Sequence, residues 1–296
     1  MGHIEKEVEQ VLRITAVAGI KGGGTKSTTA QIMGTGLRMV AQTLGQVSDE
    51  QLPRPLLIDY DPQGTLSKFN NAYDQENLTL WHVQKKQAKI QDTIIRAALL
   101  DISPANDSLG LVEYPGAKYP EGVRALYRPL RESNLPYTHI IIDTPGNAVS
   151  IHLPQALTVA DDVIIPVIPD AANFDVLDQT IDIIRSVKGD SNPNLRVAGL
   201  LISRATATTI SNDYSDAIRQ VSDYLNQEGI PCQVFGSTIR EKNDVKKTQD
   251  DKTSIFDTAL KSIQTQEYVA FLAEYLGIVD SVKAKEYLEY MAKTTK

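Results

Sequence analysis

With 296 residues and 42% hydrophobic content, the chain can bury an ordinary core, and its single cysteine, Cys232, excludes an intrachain disulfide, a thiolate metal cluster or an iron–sulfur carrier built on paired cysteines. A net charge of −7 excludes a surface that is basic everywhere, so contact with nucleic acid would have to come from a local patch or from dimer geometry. No apolar run reaches the roughly 18–20 residues that span a bilayer, and the acidic start is unlike a signal peptide, so the expected location is cytoplasmic.

In chain order, Ile4, Val8 and Leu12 predict a short helix over about residues 1–12, with no separate domain expected before the first strand. Ile14 to Ala18 is an apolar, β-rich run that breaks into Gly19-Ile20-Lys21-Gly22-Gly23-Gly24 and then Thr25-Lys26-Ser27-Thr28. Strand, glycine turn and helix start together aim backbone N–H groups at one point, where an anionic phosphate chain fits. The glycines allow close approach, the lysine neutralises charge and the neighbouring hydroxyl suits a magnesium ion. Ile32, Met33, Leu37, Val40 and Leu44 predict a helix from Lys26 to Leu44.

Pro55 to Gly64 reads as a buried strand ending in the carboxylates Asp59 and Asp61. Asn70 to Gln91 is expected to be loop and helix, with Trp81 a packing residue and His82 a surface one. Asp92 to Leu100 is expected to be helical and to lead into Asp101-Ile102-Ser103-Pro104 as a strand exit, and Val123, Leu126, Tyr127 and Leu130 give helical spacing within Glu121 to Ser133.

From residue 139 the pattern is regular: strands at His139 to Asp143 and Asp162 to Pro169, a helix from Phe174 to Val187, a strand from Val197 to Ser203, a helix from Ser211 to Gln227 and a strand from Gln233 to Ile239. Tyr268, Val269, Leu272, Tyr275 and Leu276 mark a last amphipathic helix, with a helical tail over about 265–296. The expected fold class is α/β, a doubly wound, mostly parallel sheet with helices on both faces, in a single domain over 1–296. Asp161, Asp162 and Asp170 read as caps or surface residues, and Cys232 as a small buried residue at the start of the last strand.

The glycine loop, Asp59 with Asp61, Asp143 and the segment from Asp170 to Phe174 fall at the C-terminal ends of predicted parallel strands, where open α/β sheets bind ligands. Lys21 to Thr28 resembles the deviant Walker A motif of the ParA/MinD family of P-loop ATPases, whose mark is the second, earlier lysine. Asp59-Tyr60-Asp61-Pro62-Gln63-Gly64 resembles the family's Asp-x-Asp-Pro-Gln-Gly motif, and Ile140 to Gly146 its Walker B and switch segment. The second motif is more typical of the short, Soj-like ParA branch, which positions plasmid and chromosomal DNA. The resemblance in outline covers roughly residues 13–277.

The resemblance implies a P-loop NTPase fold with ATP and magnesium as cofactors. Gly22, Gly23, Gly24, Thr25, Lys26, Ser27 and Thr28 would cradle the phosphates, with Lys26 on the β- and γ-phosphates. Ser27 would ligate magnesium, Asp143 would hold it through water and Asp59 would support its shell. Asp61 would position the attacking water, and Lys21 would reach the nucleotide of a second subunit, so that ATP binding is read as a homodimer. Adenine would sit near Ser203-Arg204 and Ile239-Arg240. The implied function is an ATP-dependent dimer that holds non-specific double-stranded DNA, with hydrolysis stimulated by a ParB-like centromere-binding protein and a nucleoid-associated location. No helix-turn-helix operator-binding domain is expected.

For DNA the candidates are Arg240, Lys242, Lys246 and Lys247, although Glu241, Asp244, Asp250 and Asp251 between and beyond them suit a solvated helix face equally well. The tail from Val282 to Met291 has a narrow apolar stripe and mixed charge, which fits packing or a partner better than the anionic membrane of a MinD-like protein. Thr25 stands where most relatives carry glycine; a left-handed backbone there would cost about 1–2 kcal/mol and would favour a nucleotide-gated binding module with little hydrolysis.

Overall fold

The computed structural model describes residues 12–20, 25–45, 48–113, 122–170, 174–206 and 212–280, together with 282, 283 and 286. The expected N-terminal helix, Lys21 with Gly22 to Gly24, and most of the expected C-terminal tail lie outside the described residues. In chain order the elements are β1 (Arg13–Val17), α1 (Thr25–Leu44), β2 (Pro55–Asp59), α2 (Thr65–Phe69), α3 (Leu80–Gln84), α4 (Ile90–Thr93), β3 (Ile95–Arg96), β4 (Asp101–Ser103), α5 (Tyr127–Arg131) and β5 (His139–Asp143). They continue with α6 (His152–Val159), β6 (Asp162–Val167), α7 (Phe174–Asp190), β7 (Arg196–Ala205), α8 (Asn212–Gln227), β8 (Val234–Arg240), α9 (Asp244–Asp250), α10 (Ile255–Thr258) and α11 (Ile263–Tyr275).

The strands form one sheet in the order β3-β4-β2-β5-β1-β6-β7-β8, parallel throughout except for the β3/β4 pair at its edge. Alternate strand residues feed opposite faces, as the period of two demands. Ile14, Ile58, Ile140, Ile142 and Val163 pack with α6, α7 and α8, while Val17, Leu57, Ile141, Ile164 and Leu201 pack with α1, α10 and α11. Both faces are covered, which is why the central strands read as continuous apolar runs. Helix α1 lies close because Gly36 has no side chain; a Cβ there would stand 2.4 Å from Leu272 and 2.5 Å from Phe256.

Two expectations about local structure are corrected. The helix expected over Asp92 to Leu100 ends at Thr93, and Ile94 turns to extended backbone. Ile95 then pairs with Ile102, while the Ala97 N–H donates to the Leu100 carbonyl at 3.1 Å, so the segment is an edge hairpin. Adjacent β-branched residues favour this over a helix. Glu121 to Ser133 contains only a 3-10 turn at Gly122–Arg124 and the short α5 among its described residues.

At the N-terminal end of the sheet, Asp162 is 2% exposed and pairs with Arg13 and, at 3.0 Å, with Arg196, so it is a buried ion-pair residue rather than a surface one. Asp161 accepts the Ile14 N–H at 2.7 Å and pairs with Arg131 at 2.7 Å. Cys232 is buried just before β8, and burial pushes its thiol up to about 11.

Candidate functional site

The parallel register sets Asp59 of β2 opposite Asp143 of β5, and Asp143 opposite Val17 of β1. Both carboxylates belong to the strand positions that face α1, in phase with Leu57 and Ile141, and both are fully buried. Helix α1 begins at Thr25, directly over this end of the sheet, and carries Lys26 and Ser27 inward at 7% exposure each. A lysine, a hydroxyl and two aspartates, distant in sequence, thus meet at the start of α1.

The electrostatics are unbalanced. Burial pushes Asp143 well above the ordinary carboxylate range and the nearby Asp59 adds to this, while Ser27 and Lys26 act the other way. Neither buried oxygen of Asp143 has a hydrogen bond of ordinary geometry among the described residues. Asp59 is better held: one oxygen accepts from the Ser67 N–H and hydroxyl, both at 2.7 Å, and the other from the Asp61 N–H at 3.2 Å. Burial still raises it to about 7. Burial also lowers Lys26, with Asp143 and then Asp61 restoring part of its basicity. Two neighbouring buried carboxylates against one lysine form an oxygen-rich, electron-rich site, the chemistry that a hydrated magnesium ion satisfies.

Asp61 is half-buried and accepts the Gln63 N–H at 2.9 Å. The chain then turns at Gly64, whose φ of +62° and approach to Tyr73, 2.3 Å from a would-be Cβ, admit only glycine. Thr25 has helical rather than left-handed backbone, and its carbonyl accepts the Thr29 hydroxyl at 2.7 Å. The strain expected of threonine at that position therefore does not arise.

A cavity of about 340 Å³ brings Thr25 and Thr28 together with Ser203, Arg204, Ile239 and Arg240, so the residues expected around adenine share one wall with the start of α1. Arg204 pairs with Glu241 at 2.6 Å. Arg240 pairs at 2.6 Å with the buried Glu267, which holds the guanidinium against the protein, while Lys242, Lys246 and Lys247 are exposed. Lys242 and Lys246 also line the cavity.

Sequence reasoning missed Ser67, which fixes Asp59, and the role of Tyr60. The Tyr60 side chain points away from its two aspartate neighbours, is fully buried, hydrogen-bonds to Gln84 and Gln155, and sits edge-on to His152 at 4.5 Å. His82, expected at the surface, is half-buried and accepts the Thr79 N–H at 3.0 Å, and Trp81 packs against the core as expected. Strand alternation could have shown that Tyr60 points away from Asp59; nothing in the local sequence marks Ser67.

A mostly parallel, doubly wound sheet with a helix starting over the end of its central strand and with strand-end aspartates defines a P-loop NTPase-like fold. A family profile described as an AAA domain matches residues 12–197. The chromosome partitioning protein ParA of Caulobacter vibrioides is 32% identical over 201 residues, 65% of this chain and 69% of that protein. The chain belongs to the ParA/MinD family of P-loop ATPases. Among solved structures, apo McdA of Cyanothece superposes with a TM-score of 0.73 at 21% identity, covering 90% of this chain and all of that one. Cobyrinic acid a,c-diamide synthase of Mycobacterium smegmatis, with an ATP analogue and magnesium bound, shares the fold at a TM-score of 0.66 and 24% identity, over 90% of this chain and 95% of that one. Among the described residues no helix is long and apolar enough to cross a membrane.

Proposed function

We propose that the protein is a ParA-like partition ATPase that binds ATP, closes a homodimer over it, holds non-specific double-stranded DNA in that state and releases it on hydrolysis. The observation that carries the reading is the meeting of Lys26 and Ser27 with the in-register, buried pair Asp59 and Asp143, of which Asp143 is under-satisfied among the described residues. Lys26 neutralises the β- and γ-phosphates, and the backbone of residues 22–28 cradles them. Bound magnesium, held by Ser27 and by Asp143 with support from Asp59, would supply charge neutralisation on the terminal phosphates.

Asp61, the more solvent-facing carboxylate, orients the attacking water. Phosphoryl transfer rests mainly on positioning and neutralisation, so turnover is slow until a ParB-like centromere-binding partner completes the geometry. Lys21 acts across the dimer, which makes occupancy and dimerisation one event. Adenine occupies the cavity between Thr28 and Arg240, and Lys242, Lys246 and Lys247 supply the DNA contacts, doubled when two subunits come together. The helical backbone of Thr25 supports a hydrolysing ATPase over a module without hydrolysis. The protein works in the cytoplasm on the nucleoid, with no stable membrane association.

Retention on non-specific DNA with ATP, ADP or no nucleotide, at low and high salt, tests the reading. ATP-dependent retention that salt abolishes is expected. Equal retention in all three states, or recruitment by ATP to anionic vesicles and not to DNA, would overturn it.

A further inference from the structure

Helix α9, which carries Lys246 and Lys247, is tied to both halves of the nucleotide site. The Gln249 side-chain amide donates to the Thr28 hydroxyl at 3.2 Å. Thr28 directly follows Ser27 in the first turn of α1 and faces the cavity. Just beyond the helix, the Lys252 ammonium donates to the Lys68 carbonyl at 2.8 Å, one residue after the Ser67 that holds Asp59. Lys252 has a φ of +57°, so the chain accepts an uncommon backbone conformation where it makes this reach. At its other end the Val245 N–H donates to Gln264 at 3.2 Å, and Gln264 in turn donates to the Arg240 carbonyl at 3.1 Å. Lys246 and Gln249 are three residues apart on one helix face and both line the cavity, whereas Lys247 is exposed outside it.

A hydroxyl that accepts a hydrogen bond keeps its own proton for donation. With the Gln249 amide occupying the acceptor side, the Thr28 O–H is left to point at an incoming anion. We propose that Gln249 is a positioning residue that orients the Thr28 hydroxyl toward a nucleotide phosphate, and that through this bond α9 carries the state of the nucleotide site to the cationic surface formed by Lys246 and Lys247. The first half concerns nucleotide alone. The second rests on the DNA-binding reading above and deepens it, because it names the element through which ATP changes DNA affinity.

Two variants separate positioning from mere packing. Gln249→Ala removes the amide and is expected to weaken ATP binding by about 3- to 10-fold, the range of a single hydrogen bond. Gln249→Glu offers only acceptor oxygens, which capture the Thr28 proton and set a negative charge beside the phosphates. It is expected to weaken ATP binding by about 30-fold or more. Affinity is read by titrating a fluorescent ATP analogue and thermal melting reports folding; Gln249→Asn, which keeps an amide, is expected to recover part of the loss. On DNA, Gln249→Ala is expected to bring retention with ATP close to retention with ADP. Equal ATP affinities for the alanine and glutamate variants would overturn the positioning role. An undiminished contrast between ATP and ADP on DNA in Gln249→Ala would overturn the relay. Wild-type protein that ignores DNA in every nucleotide state would overturn the partition reading and the relay with it, while the ATP titrations still decide the role of Gln249 at Thr28.

Discussion

The two ends of the central sheet bury carboxylates in opposite ways. At the N-terminal end, Asp162 is 2% exposed and pairs with Arg13 and Arg196, while Arg13 also stacks on Tyr275 at 4.3 Å and the Tyr275 hydroxyl meets Thr15 at 2.6 Å. Each charge there has a partner from another strand or helix, so the cluster ties elements together. At the C-terminal end, Asp143 is fully buried beside Asp59, with one buried lysine nearby and no ordinary hydrogen bond to its oxygens among the described residues. Among the described residues one end is satisfied and the other is short of positive charge, an arrangement that suits a cationic ligand. On the function proposed above, the first end serves stability and the second serves chemistry.

The comparison can be broken by substitution. Asp143→Asn is expected to lower the hydrolysis rate by about 100- to 1,000-fold, while the melting temperature without metal stays level or rises because a buried repulsion is gone; loss of stability without loss of rate would reverse the roles of the two ends. Asp61→Ala is expected to lower kcat by about 100-fold with ATP affinity changed by no more than about threefold, as measured by single-turnover kinetics beside equilibrium titration. Asp162→Ala at the opposite end is expected to cost about 2–3 kcal/mol in denaturant unfolding, because it strands two arginines that are partly exposed, with kcat per folded molecule unchanged.

The smallest expected effect is on pH dependence. Burial, with Arg13 adding to it, holds the His139 imidazole down to about 4, below its unfolded value. Its contribution is therefore complete above about pH 6.5 and is lost as pH falls toward 4. Asp59 has the opposite sign: raised to about 7, it contributes fully below the unfolded carboxylate value and loses that contribution as pH rises through 7. The two slopes oppose each other in one window. His139→Gln is expected to remove the acid-side loss, on the order of 1–2 kcal/mol, in unfolding curves at pH 5 and 7; an unchanged difference between those curves would contradict the assignment.

The same contrast explains what the sequence made legible. Strands β5 and β6 were visible because a strand covered on both faces must be apolar at every position, as Ile140 to Ile142 and Val163 to Ile165 are. Helix α6 was missed because His152 to Val159 is buried almost all round, leaving no stripe to set its period, and Pro154 falls in its first turn. Helix α9 was legible only as one of two readings of its charges, because seven residues with two buried, Val245 and Thr248, give too short a pattern to decide. Within the site, Lys26, Ser27, Asp59 and Asp143 were found because their chemistry is tied to strand ends and to a glycine turn. Ser67, Tyr60 and Gln249 act through partners 8, 95 and 221 residues away in the chain, a kind of contact that local pattern cannot carry.

The buried carboxylate pair at the C-terminal end is tested most directly by how magnesium stabilisation depends on pH. The melting temperature is measured from pH 5 to 8 with ADP alone and with ADP and magnesium, in the wild type and in Asp143→Asn. Taking the difference between the two conditions cancels His139, and comparing the wild type with Asp143→Asn cancels the pH dependence of magnesium binding to ADP itself. Because Asp59 and Asp143 must lose protons to hold the ion, the magnesium-dependent shift is predicted to grow with pH in the wild type and to lose most of that growth in Asp143→Asn. A shift that stays constant across the range, or one that the substitution leaves intact, would contradict the account.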